Sequence, residues 1–174
     1  MGNVSRRLVV DASVLQSAGD KVGHSAHCRQ ILVDVLELGH GAVTCLEIQD
    51  EWNRHQSTFA RKWRGSMVSN KQLHVINIDV NRQRIADQID RLEGVSVAKQ
   101  AALRKDVHIL AAAAHADRLI ATCDTTLKTL CDVNLTESVE WLLTVGGASD
   151  ADRQAQLDRL KELTRPKPHP PLPL

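Results

Sequence analysis

Short apolar runs alternate with longer amphipathic stretches along residues 1–165, and no proline interrupts them, since all five prolines lie between Pro166 and Pro173. That rhythm is what repeated strand–helix–strand units look like, and it points to an α/β domain with a parallel sheet. Leu8-Val9-Val10, Ala42-Val43-Thr44, Leu119-Ile120-Ala121-Thr122-Cys123 and Val139–Leu143 read as strands, while Leu73–Ile78 reads as a strand or an extended connection. At 174 residues the chain is about one domain long and can bury a proper core. The expected architecture is three layers, α/β/α, around a central parallel sheet of four or five strands in residues 1–147. A C-terminal helix over 148–164 packs on or extends that domain, and 165–174 reads as a proline-rich flexible tail.

The helices follow from apolar spacing. Ile31, Leu32, Val35 and Leu36 share one face of a helix over His27–Leu38, closed by Gly39 and Gly41. Ile48, Trp52, Phe59 and Trp63 stand at intervals of four, seven and four residues, which predicts a single helix over Leu46–Gly65. Val80–Leu92 is predicted helical, Gly94 breaks the chain, and Val97–Ala116 is predicted as one alanine-rich helix lying close to the sheet. Thr125–Leu130 reads as a short helix. Ser149 is the expected cap of a terminal helix carrying Leu157, Leu160 and Leu163.

Composition narrows the partners. Twenty-two Lys and Arg against 21 Asp and Glu give a net charge of +1, so any basic surface must be local. Three Trp, one Phe and no Tyr cannot supply the exposed rings of a single-strand binder that works by stacking. The cysteines at 28, 45, 123 and 131 form no C-x-x-C pair, so a structural zinc site is not indicated, and free thiols in a reducing compartment are expected. There is no apolar run of membrane-spanning length, which fits a cytoplasmic protein with no membrane partner.

Two apolar strands end in aspartate, Val9-Val10-Asp11 and Thr122-Cys123-Asp124. In open parallel sheets ligands bind beyond the carboxyl ends of the strands, so both carboxylates should enter one crevice. The simpler reading of each is a cap on the following helix. Asp106 sits beside the apolar stripe of its expected helix, where a carboxylate costs several kcal/mol unless paired or cation-bound. The competing reading is a salt bridge to Arg104 or Lys105. Glu51 and Glu47 share a helix face after the second strand, and spacing does not choose between them. Acids without converging His or Cys form a hard-oxygen set suited to magnesium or manganese, and the matching chemistry is metal-assisted attack of water on a phosphodiester.

Other constellations are weaker. His55, His108 and His115 fall in no metal-binding spacing and read as surface or packing residues. Ser13 lacks a G-x-S-x-G setting, and no phosphate-binding glycine loop occurs. An aspartyl-nucleophile phosphatase would want a second Asp where Ser13 stands. Arg54, Arg61, Lys62 and Arg64, with Arg104 and Lys105, can meet phosphates or simply form solvated helix faces.

In order and strand placement, Val10-Asp11-Ala12-Ser13, Glu51-Trp52, Lys105-Asp106 before an alanine-rich helix, and Ile120-Ala121-Thr122-Cys123-Asp124 resemble the PIN-domain family over about residues 8–143. The resemblance implies a magnesium- or manganese-dependent endoribonuclease acting on single-stranded RNA. It implies that Asp11, Glu51, Asp106 and Asp124 are the metal-binding catalytic acids, supported by Ser13 and Thr122. Arg54, Arg61, Arg64 and Lys105 are the substrate-binding candidates. Many relatives are toxins of toxin–antitoxin pairs and others process RNA, so an antitoxin or other protein partner and a homodimer belong to the expectation. The competing expectation is a non-catalytic PIN-like module that binds RNA or protein.

Overall fold

The structure is a computed structural model that describes residues 5–136, 138–144 and 146–164. The expected proline-rich tail, 165–174, lies outside the described residues. Five strands, β1 (Arg7–Val10), β2 (Gly41–Thr44), β3 (Leu73–Val75), β4 (Leu119–Thr122) and β5 (Glu140–Leu143), form one sheet in the order β3-β2-β1-β4-β5. Every neighbouring pair is parallel. Parallel strands covered by helices on both faces read as unbroken apolar runs, and Leu8, Val9, Val10, Ala42, Val43, Ile120 and Ala121 are fully buried. The three-layer α/β/α expectation holds, with five strands.

Nine helices are described: α1 (Ala12–Ser17), α2 (Gly23–Glu37), α3 (Leu46–His55), α4 (Thr58–Ser69), α5 (Asp79–Asp90), α6 (Val97–Lys105), α7 (Val107–His115), α8 (Thr125–Asn134) and α9 (Asp150–Glu162). Helix α2 ends as its glycine requires. Gly39 takes φ +76°, its N–H donates to Leu36 O at 3.3 Å, and the His40 N–H reaches back to Val35 O at 3.0 Å. Gly41 belongs to β2 instead of closing the helix.

Two expected long helices are each broken in two. The stretch Leu46–Gly65 divides at Gln56 and Ser57, where Gln56 is extended and the Ser57 hydroxyl caps α4 by accepting from Ala60 N at 3.2 Å. The side-chain stripe therefore folds on itself: Trp52 on α3 meets Trp63 on α4 edge to face, centroids 6.1 Å apart, and Phe59 carries the Arg29 guanidinium 4.1 Å above its ring. The stretch Val97–Ala116 divides at Asp106, which ends α6 and starts α7 with φ −103° and ψ 12°. Asp106 is thus at a kink and not on a continuous helix face. Helix α1, directly after Asp11, has only six residues and carried no sequence expectation of its own.

Helix α9 packs on the domain. Ser149 caps it in a reciprocal box with Asp152, and Leu160 and Leu163 are buried. The Arg159 guanidinium grips both carboxylate oxygens of Glu140 in β5. His40, fully buried, accepts from Arg6 N through Nδ1 at 3.1 Å, which leaves the proton on Nε2 to donate to Leu160 O at 3.0 Å. One imidazole thus joins the start of β1 to the terminal helix.

Candidate metal centre

Strand order fixes where a site can form. From β1 the chain steps to β2 and β3 on one side, then crosses to β4 on the other side of β1. A sheet opens a crevice at such a reversal, beyond the carboxyl ends of the two strands that flank it. Here those strands are β1 and β4, which lead directly into Asp11 and, through Cys123, Asp124.

A cavity of about 370 Å³ lies at this place, lined by Asp11, Ser13, Gln16, Glu51, Arg54, His55, Lys105, Asp106 and Asp124, with Ala12. All four expected acids line it, from four separate stretches of chain. A more open groove of about 540 Å³ runs along α5 past Asp79, Val80 and Asp87. It lies on a single helix, away from the strand ends, and gathers no residue of the acid set.

Asp11 occupies the cap position of α1 but makes no capping bond. Its Oδ2 instead accepts from Ser13 Oγ at 2.6 Å and Thr122 Oγ1 at 2.7 Å. Those hydroxyls are themselves held: Ser13 Oγ accepts from Cys123 N at 3.0 Å and Thr122 Oγ1 from Asp124 N at 3.0 Å. The web ties the exits of β1 and β4 together and gives Ser13 and Thr122 a definite task, fixing the carboxylate of Asp11. From below, the buried Trp52 indole donates to Val10 O at 2.9 Å. Asp124 does cap its helix, Oδ1 accepting from Leu127 N at 2.9 Å, so the simple reading accounts for one of its oxygens.

Asp11 Oδ1, Asp124 Oδ2 and both oxygens of Asp106 have no hydrogen-bond donor among the described residues. Neither Arg104 nor Lys105 pairs with Asp106; Arg104 is bonded to Asp90. Burial pushes the Asp106 carboxyl up to about 6, against the pull of Lys105 and with the charges of Asp11 and Asp124 adding to the rise. The acids therefore feel one another.

Glu51, not Glu47, belongs to the group. Glu47 is bonded to Arg82, which holds its carboxyl down at about 2, and lines a separate cleft with Cys45 and Asn77. Glu51 Oε1 lies 3.1 Å from Nε2 of the buried His108, off the line of a hydrogen bond, so the contact becomes a true ion pair only with a protonated ring. His108 was expected to be a packing or surface residue. It packs, but against a site acid, and nothing in its spacing from Asp106 shows this.

Among the basic residues, Arg54 and Lys105 line the cavity. Arg61 and Arg64 do not, because the break at Gln56–Ser57 redirects α4. Arg64 instead donates to Asn53 Oδ1 at 2.7 Å and lies 5.5 Å over the Trp52 ring, while Arg61 is exposed on α4. Gln16 and His55 line the cavity without having been singled out as members; His55, one turn after Glu51, had the only legible signal.

The donor set fits a hard divalent ion. Carboxylate oxygens without protein donors line one cavity and no thiol joins them, although one imidazole, His55, also reaches its wall where the sequence suggested no converging His. The acids do not form a tight cage: among the described residues the only trio of His, Cys, Asp or Glu ligand atoms within 4.8 Å of one another is His24, Cys28 and Cys123. A spacing wider than a single inner shell suits magnesium, which keeps several waters and takes only one or two carboxylates directly.

No family model matches this chain, and no curated protein matches it either.

The raised Asp106 carboxyl sets a pH dependence. Below about pH 6 a cation must displace its proton, so manganese affinity is expected to weaken by roughly tenfold per pH unit there. The opposite trend is expected of the metal-free chain: an aspartate raised above its ordinary value stabilises the fold when protonated, and that contribution is lost as pH climbs from about 4 to about 6. Thermal melts with and without manganese at about pH 5 and about pH 7.5 read both signs, and a manganese shift of equal size at the two pH values contradicts the assignment.

Proposed function

We propose that the chain is a PIN-like, magnesium- or manganese-dependent endoribonuclease that hydrolyses phosphodiester bonds of single-stranded RNA. The observation that carries this reading is the set of carboxylate oxygens of Asp11, Asp106 and Asp124 that have no protein donor and line one cavity at the β1/β4 crevice. A bound divalent ion would supply a polarised water as nucleophile and screen charge on the reacting phosphate.

The chain's own residues do the rest. Asp11, fixed by Ser13 and Thr122, presents its undonated oxygen with little freedom to reorient, which keeps it poised as a ligand. Asp106, Asp124 and Glu51 complete the acid set, one or two of the four carboxylates holding the ion directly and the rest through its waters, and Glu51 lies against the buried His108. Arg54 and Lys105 flank the acids and attract the phosphates on either side of the scissile bond. With few rings available, the strand is held by its backbone and not by stacked bases. Toxin-like and RNA-processing roles both accommodate this chemistry. Either brings a homodimer, with an antitoxin or other protein partner in the toxin case, and a cytoplasmic setting. Among the described residues no helix is long and apolar enough to cross a membrane.

Purified protein is expected to cut a labelled single-stranded RNA with manganese or magnesium, to stop when the metal is chelated, and to leave the duplex form intact. RNA binding without turnover under any divalent ion would replace this reading with a non-catalytic RNA- or protein-binding module. Turnover of a phosphomonoester with RNA untouched would make the chain a small-phosphate hydrolase.

A further inference from the structure

A second group of ligating side chains lies on the other side of the same strand exit. Cys123 stands between Thr122 and Asp124, but its side chain leaves the acid cavity and meets α2, where His24 and Cys28, one turn apart, share a face. The Cys28 and Cys123 sulfurs are 3.9 Å apart, and His24 Nε2 is 3.5 Å from the first and 3.8 Å from the second. A tetrahedral zinc ion with bonds of about 2.3 Å to sulfur and about 2.0 Å to nitrogen requires edges of roughly 3.8 Å between sulfurs and roughly 3.6 Å from sulfur to nitrogen. The three measured distances match that triangle within a few tenths of an ångström.

We propose that His24, Cys28 and Cys123 form a binding site for a thiophilic divalent ion of the zinc type, separate from the acid cavity. Thiolate and imidazole donors select such an ion over magnesium or manganese, which the acids prefer. The charge closes: two thiolates balance a divalent cation, the imidazole binds neutral, and each ion taken up sends two thiol protons to solvent. Thr144, buried behind the pair, lies 2.9 Å from Cys123 Sγ and 3.6 Å from Cys28 Sγ, placed to donate to a thiolate as an outer partner. Three protein ligands leave the fourth position to water or an external donor. The lack of C-x-x-C spacing hid this group, because Cys28 and Cys123 are 95 residues apart and only the fold joins them.

The ion would staple the exit of β4 to α2, bracing the strand that delivers Asp124. This inference does not rest on the nuclease reading, and its readouts are independent of RNA cleavage. Reduced, chelator-treated full-length protein is titrated with zinc and with cobalt(II). One tightly held zinc per chain is expected, with a raised melting temperature and, for cobalt, a thiolate charge-transfer band that excess magnesium does not displace. Cys28→Ser and Cys123→Ser should abolish the band. His24→Ala, at a partly exposed position that tolerates change, should weaken zinc binding by more than the about 10- to 100-fold lost with an outer partner. The proposal is overturned if the reduced chain gives no thiolate–cobalt band, or if the band survives both His24→Ala and Cys28→Ser. It is equally overturned if Cys28 and Cys123 are found joined as a disulfide in protein isolated under native conditions.

Discussion

Asp11→Asn should lower the rate of RNA cleavage by about 10³-fold or more while leaving the melting temperature unchanged or slightly raised. Both halves come from the same geometry. The hydroxyls of Ser13 and Thr122 donate to one oxygen of Asp11, and an asparagine carbonyl oxygen can accept both bonds. The oxygen lost as a ligand is the one with no protein donor. Removing the charge also relieves Asp106 and Asp124, so the raised Asp106 carboxyl should move back towards its ordinary value, visible in carboxyl-carbon NMR titration. A variant that folds and cleaves at the native rate would end the case for Asp11 as a catalytic ligand. Loss of activity together with loss of the fold would instead mean that the hydroxyl web is structural.

Trp52→Ala should produce the largest loss of stability. The side chain is fully buried, packs edge to face on Trp63, and carries the Arg64 guanidinium. Truncating a buried tryptophan costs about 3–5 kcal/mol, and the Val10 carbonyl also loses its donor. For a domain of this length that lowers the melting midpoint by roughly 6–20 °C. Trp52→Phe keeps most of the packing and forfeits the hydrogen bond, so it should fall between alanine and the native residue. Denaturant unfolding measures all three, and an alanine variant within about 1 kcal/mol of native would show that α3 is not anchored through this ring.

The parallel sheet was legible because its central strands are buried on both faces, so Leu8–Val10 and Leu119–Ala121 are apolar without alternation. The two strand-end aspartates were legible for the same reason, since a charge that terminates such a buried run belongs where the strand emerges at its carboxyl end. Helix breaks were not. Ser57 is a cap only because the chain turns there, and an apolar spacing of four and seven residues continues across the break as though nothing happened. Asp106 shows the same limit: the sequence placed an acid among apolar neighbours, but only the kink between α6 and α7 explains how it reaches the cavity. Arg61 and Arg64 stand outside the cavity because the chain breaks before α4, and Glu47 could be separated from Glu51 only once Arg82, 35 residues later, was seen to hold it.

The placement of β1 between β2 and β4 bears on how the molecule comes into being. Thr122, whose hydroxyl secures Asp11, is 111 residues further along the chain; Asp106 is somewhat nearer in sequence and Asp124 slightly farther. During synthesis the edge of β1 that pairs with β4 therefore stays open until more than a hundred further residues have followed. A chain halted before Leu119 holds the first aspartate but neither the strand that locks it nor Asp124 beside it, so the acid cavity is complete only once β4 has been added. That order of assembly keeps the four acids of the cavity apart until the strand that brings them together has been made.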